Sequence, residues 1–244
     1  MNQFMNIVLP MAGQGSRFKQ AGYKNSKPFI DVNGLPMVVK VIKNLNIEFN
    51  SKFNFVIICL KEDFETYNIE DTVNSFFKKA NFKYIVLEKM TEGAAQSVLA
   101  AKEYIDNTHP LLILNSDQLI EYAPNIAFSQ LSLYDGGILC FEGTGPEWSY
   151  AKLNEEGYVT EVAEKVQISN CATAGYYYWN RGKEFVRYAE EMIDNNDRSK
   201  NEFYVAPVFN YAIKNGRRVV VHMVDKIYQL GTPEYLEEYL NNEQ

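Results

Sequence analysis

Residues 5–18 read MNIVLPMAGQGSRF, an apolar run that passes directly into two glycines, a serine and an arginine. The run is far shorter than the ~20 apolar residues a membrane span needs, and it lacks the basic start and small-residue cleavage site of a leader. It therefore reads as a first β-strand. In an open α/β sheet, ligands bind beyond the carboxyl ends of the strands, where the loop Ala12-Gly13-Gln14-Gly15-Ser16 falls. Glycines there let backbone N–H groups approach phosphate oxygens, and Arg17 adds a forked, charge-assisted contact. The loop reads as a phosphate cradle. A dinucleotide fingerprint would carry a third glycine or alanine where Phe18 stands, and a P-loop would need Gly-Lys-Ser/Thr, which is absent. Taken alone, the loop is equally consistent with a tight strand-to-helix turn that holds no ligand.

Further apolar runs lie outward from this one: FNFVIICL (53–60), KYIVLE (83–88), LLILN (111–115), GGILCF (136–141) and RRVVVHMV (217–224). Helix-length segments separate most of them, over 36–46, 62–79, 92–106, 181–195 and 202–215, and a last helix is expected over 233–240. Continuous runs of this kind are buried, mostly parallel strands. Pro36 suits a first helical turn, and Asn215-Gly216 a helix stop. From Tyr150 to Asn180 the pattern becomes short and alternating, with a turn signal at Glu156-Gly157, so a hairpin and a following strand are added to the sheet. The expected fold is a single α/β domain over 1–244: a Rossmann-like, mixed, mostly parallel sheet flanked by helices, with an inserted β-hairpin region.

The formal charge of −7 and pI near 5.1 leave no basic surface for nucleic acid. Cys59, Cys140 and Cys171 are odd in number and widely spaced, which suggests neither a disulfide framework nor a zinc site and fits a reducing cytoplasm. The two histidines, His109 and His222, edge apolar segments, which disfavours chemistry based on a histidine base. Neither a membrane nor a nucleic acid is an expected partner, and a homo-oligomer stays open.

Ten residues beyond Arg17, Lys27-Pro28 introduces FIDVNGLPMV, holding a second cation on a proline-stiffened segment. The combination of Gly-x-Gly-x-Arg-Phe, Lys-Pro and Gly-x-Pro-Met resembles the start of the sugar-phosphate nucleotidylyltransferases, or NDP-sugar pyrophosphorylases. Five later segments continue the resemblance: TEGAAQ (91–96), LNSD (114–117), the pair Glu164-Lys165, GYY (175–177) and LGTPE (230–234). It implies the nucleotide-diphospho-sugar transferase fold, an NTP and a small phosphorylated acceptor as partners, and Mg²⁺ as cofactor. Arg17 and Lys27 would be catalytic. Residues 12–16 with Gly93 and Gln96 would bind the nucleotide, Asp117 the metal, and Glu164, Lys165 and Gly175 the acceptor. A phosphomonoester is already anionic at neutral pH and can attack the α-phosphorus without a general base, so the scarcity of histidine is no obstacle. The work left to the protein is positioning and countercharge. The bland alternatives are a turn cap for Asp117 and a solvated lysine for Lys165, while the Tyr176–Tyr178 run reads as sheet packing.

Two positions depart from the resemblance. The thymidylyltransferase branch carries Asp two residues before the late Gly-Thr, where this chain has Gln229, a weaker ligand, so the metal is expected to rely on Asp117 with phosphates and water, or on Asp225 nearby. Where that branch has a base-pairing Gln, five residues before Gly93, this chain has Glu88. A carboxylate only accepts hydrogen bonds and favours a donor edge, so CTP is expected first and GTP second, unless Glu88 faces solvent and a neighbour reads the base. The acceptor is a sugar 1-phosphate by family default. The LPMAG start also resembles enzymes of capsule and surface-polysaccharide modification, with non-sugar acceptors such as phosphocholine or phosphoglutamine as alternatives. A catalytically silent regulator would have no physical need for Arg17, Lys27, Asp117 and Lys165 around one cleft. A related metal-dependent glycosyltransferase would need an Asp-x-Asp motif, where this chain reads Ser116-Asp117-Gln118.

Overall fold

The first strand lies inside the main sheet, with a parallel strand on either side. The structure, a computed structural model, describes residues 4–48, 52–78 and 80–242. Among these the strands are β1 (Met5–Pro10), β2 (Asp31–Val32), β3 (Leu35–Pro36), β4 (Phe53–Leu60), β5 (Phe82–Leu87), β6 (Leu111–Leu114), β7 (Gln118–Glu121), β8 (Gly136–Glu142), β9 (Ser149–Leu153), β10 (Val159–Glu164), β11 (Cys171–Trp179), β12 (Val219–Met223) and β13 (Lys226–Gln229). Nine of them form one mixed sheet in the order β10-β9-β11-β6-β1-β4-β5, with β8 also on β11 and β12 on β8. The block β6-β1-β4-β5 is parallel, whereas β11 runs antiparallel to both β6 and β8. The expected fold class is the observed one.

Alternation along the buried strands feeds two apolar layers. Ile7 and Leu9 point to the face covered by helices Met37–Asn44 and Pro233–Asn242, while Val8 points to the face covered by Gly182–Asp194 and Val208–Lys214. Because β1, β4, β5 and β6 are parallel, residues 11–15, Lys61, Glu88 and 115–117 all emerge at one sheet edge. The antiparallel β11 starts at that same edge, since Tyr176 pairs with Leu114. The expected hairpin is β9–β10, with Gly157 at φ +83 in its turn and Glu164 opposite Ser149 at its root.

Several helix boundaries differ from expectation. The helix expected over 62–79 is two, Lys61–Thr66 and Ile69–Phe76, broken by Asn68 at φ +43, and its expected end at Lys79 lies outside the described residues. The one expected over 92–106 divides into Ala94–Leu99 and Lys102–Ile105. The segment expected to be helical from Glu202 is non-helical through Ala206, and the helix begins only after Pro207, because a proline disfavours helical backbone at the residue before it. Pro36 is the N-cap rather than part of the first turn, and it pairs with Asp31 across β2–β3. No described helix is long and apolar enough to cross a membrane.

Candidate active site

The loop after β1 turns through Gly15, whose φ of +58 is left-handed backbone that L-residues rarely adopt. A Cβ there would also stand 3.1 Å from the Lys27 Cβ, so the glycine lets the Lys-Pro segment approach the loop. Gly13 has nothing within 4 Å of its missing Cβ, which leaves that side of the loop open to a ligand. Phe18 is buried and packs edge-on against Tyr23, anchoring the short helix Ser16–Gln20 and leaving Arg17 exposed beside it. The Glu234 carboxyl is held below its usual range by its own backbone N–H and the Thr232 hydroxyl, with the Arg17 charge adding to them.

Lys27 opens a 3₁₀ turn whose next two residues, Pro28 and Phe29, are buried, and Phe29 stacks on Tyr67 at 4.1 Å. This anchoring delivers the Lys27 ammonium to Asp117, with Nζ donating to Oδ2 at 2.8 Å and each side chain about one-fifth exposed. Two groups expected separately, 90 residues apart, are thus in direct contact beside the glycine loop.

Asp117 precedes β7, which pairs with β13 as a two-stranded ribbon. Its carbonyl accepts from Leu230 N–H at 2.7 Å, and a Cβ on Gly231 would stand only 2.6 Å from its Oδ2. The same point lies 3.4 Å from Oε1 of Gln229, a buried oxygen with no hydrogen-bond partner. A carboxylate beside an unsatisfied amide oxygen fits a hard divalent cation, with phosphates and water completing the shell. Asp225 does not fit. Its N–H bonds the carbonyl of Glu121, four residues along β7 from Asp117, which puts the two about 13 Å apart along the ribbon at ~3.3 Å per residue. One ion cannot span that distance. Among the described residues no three His, Cys, Asp or Glu side chains group around a point, and the Gln229 amide oxygen is the unsatisfied acceptor that stands near Asp117.

Of the residues expected to meet the acceptor, Glu164 has a buried side chain that bonds the Ser149 hydroxyl; burial pushes its carboxyl above the usual range, against the Ser149 hydrogen bond and the Lys165 charge. Lys165 follows at φ +56, left-handed and unusual for a lysine, with Nζ bonded to the Tyr204 hydroxyl. Gly175 sits at φ +73, and a Cβ there would run into Gln118 Oε1 and stand 2.8 Å from Asn115 Nδ2. Its carbonyl accepts from Asn115 N–H at 2.8 Å, so its observed contacts seat the 115–118 turn that presents Asp117. Tyr176, Tyr177 and Tyr178 are buried as sheet packing.

The nucleotide-side residues are less converged. Gly93 has φ +144 and no room for a Cβ, which would strike the Phe203 backbone. Gln96 accepts from Glu92 N–H at 2.7 Å and so closes its own turn. Glu88 is at the expected edge, yet its carboxylate is 78% exposed and pairs with Lys61 at 3.0 Å. Sequence reading missed Lys61, Ser149 and Tyr204. Lys61 and Ser149 carry no local motif, and Tyr204 was hidden inside an expected helix.

A glycine loop, a lysine–carboxylate contact and an unsatisfied amide oxygen lie together at one edge of a mixed sheet, a set of groups chemically suited to phosphate and a cation, and the sequence profile of the nucleotidyl transferase family matches residues 6–243. The chain belongs to that family. It is 24% identical over 180 residues to the bifunctional protein GlmU of Methanocaldococcus jannaschii, a match covering 72% of this chain and 40% of that protein. The chain thus spans less than half the length of that relative. It is 20% identical over 240 residues to the UTP--glucose-1-phosphate uridylyltransferase AglF of Haloferax volcanii, covering 96% and 94% of the two. The crystal structure of a nucleoside-diphosphate-sugar pyrophosphorylase from Vibrio cholerae superposes with a TM-score of 0.85 at 25% identity, over 96% of this chain and 99% of that one.

Proposed function

We propose that this chain transfers an NMP unit from a nucleoside triphosphate to a small phosphorylated acceptor, a sugar 1-phosphate by default, and releases pyrophosphate. The Lys27–Asp117 contact beside the glycine loop carries this reading, because it sets a cation and a metal-type carboxylate at one phosphate cradle. A phosphate oxygen of the acceptor forms the new bond to the α-phosphorus, and the bond from that phosphorus to the bridging oxygen breaks toward pyrophosphate. The backbone N–H groups of residues 12–16 and Arg17 hold the triphosphate; Lys27 neutralises charge developing on the transferring group; Lys165 meets the acceptor phosphate. Asp117 and the Gln229 amide oxygen would hold Mg²⁺, which would supply charge neutralisation. The test is pyrophosphate release with each NTP against a panel of phosphorylated compounds. The panel includes phosphocholine and phosphoglutamine, since a non-sugar phosphate in capsule modification is the alternative acceptor. No release with any pair would leave a silent nucleotide-binding protein.

For the base, CTP remains the first expectation and GTP the second, because the Glu88 carboxylate rewards an amino or imino donor. Lys61 qualifies this. Its ammonium beside Glu88 offers a donor that the O4 of uracil accepts, and the relative AglF is named for UTP. The expected preference for CTP over UTP is therefore at the low end of one base contact, about 1 kcal/mol or five- to tenfold in kcat/KM. Glu88→Gln should narrow it, and Lys61→Ala should widen it. Equal CTP/UTP ratios in wild type and both variants would remove the pair from the base site.

A further inference from the structure

We infer that Tyr204 is a positioning residue that aims Lys165 at the acceptor phosphate; this rests on the nucleotidyl-transfer reading. Three ties hold the Lys165 ammonium. It bonds the Tyr204 hydroxyl, lies 4.4 Å over the Tyr204 ring, and stands 4.0 Å from Glu164 Oε1. Its left-handed backbone, with the N–H bonded to Trp148 carbonyl at 3.0 Å, directs the stem across that ring. An ammonium has three N–H donors, so the hydroxyl occupies one while the partly open side of the group, 27% exposed, keeps others for a phosphate.

Tyr204 is itself fixed from the nucleotide side. The preceding residue, Phe203, donates its N–H to Glu92 carbonyl and accepts from Ala95 N–H, both at 2.9 Å, and Gly93 permits this approach by lacking a Cβ. Arg198 clamps the same segment, bonding Glu92 at 2.6 Å and lying 4.1 Å over the Phe203 ring. One strap, 198–204, therefore fastens the turn expected to hold the base and ends on the hydroxyl that orients the acceptor lysine. The ring alone would fill the space; the hydroxyl serves the ammonium.

Tyr204→Phe separates these roles. The expected result is an acceptor KM raised roughly tenfold, the value for losing one hydrogen bond to a charged group, with KM for the NTP and the melting temperature unchanged. Adding Tyr204→Phe to Lys165→Met should cost nothing more than Lys165→Met alone, because the two act through one contact. Reductive methylation of Lys165, followed by mass spectrometry, should be faster in Tyr204→Phe, and this readout does not depend on turnover. An active Tyr204→Phe enzyme with wild-type acceptor KM, or with both KM values raised equally, overturns the inference. If Tyr204→Phe lowers the melting temperature, Lys165→Met decides instead: a normal acceptor KM there overturns it too. A wild type that releases no pyrophosphate with any pair is a different failure, which brings down the nucleotidyl-transfer reading itself.

Discussion

Asp117→Asn is expected to lower kcat by about a thousandfold or more while leaving the melting temperature and circular dichroism near those of the wild type. The amide has the shape of the carboxylate, and shape matters because Gly231 leaves so little room at Oδ2. What it loses is the charge that Lys27 pairs with at 2.8 Å and that a divalent cation requires. Stability should change little, since one partly exposed ion pair contributes about 0–1 kcal/mol. Mn²⁺ binding followed by electron paramagnetic resonance gives a readout besides activity, and Asn should weaken it. A folded mutant with near-normal turnover and unchanged Mn²⁺ affinity would sink the metal assignment.

The sheet was legible because its strands are long, apolar and bounded by turn residues. Runs such as FNFVIICL fall within one residue of their observed limits, since buried parallel strands need no partner-specific pattern to be recognised. The four-residue strands β7 and β13 were not legible: at that length alternation carries little signal, and the ribbon exists because Asp117 and Leu230 bond across it. That ribbon also separates the two carboxylates expected to share a metal. Sequence proximity favoured Asp225, whereas strand register carries it to the far end and brings Gln229 in. Lys27, Asp117 and Glu88 could be singled out at strand ends or a proline-anchored position and Lys165 through the family resemblance, whereas nothing marked Lys61. Their partnerships were not legible, because Lys27 with Asp117, Lys61 with Glu88 and Lys165 with Tyr204 depend on which strands and loops become neighbours.

Lys27→Ala is expected to cost about 2–4 kcal/mol of transition-state stabilisation, roughly 30- to 1,000-fold in kcat/KM, as for removing one preorganised charge. Preorganisation is the reason for the size. Pro28 and Phe29 bury the segment, Gly15 lets it pack against the cradle, and Asp117 fixes the ammonium, so little reorganisation remains when charge develops. Arg17 lies exposed on a five-residue helix, and Arg17→Ala should fall at the lower end of the same range. Because Lys27 and Asp117 share one contact, the double variant Lys27→Ala/Asp117→Asn should be less impaired than the product of the single losses. Kinetics of all four proteins at saturating Mg²⁺ measure the coupling. Fully multiplicative losses would mean that the two residues act independently, and an unchanged kcat/KM in Lys27→Ala would reduce the Lys-Pro segment to scaffold.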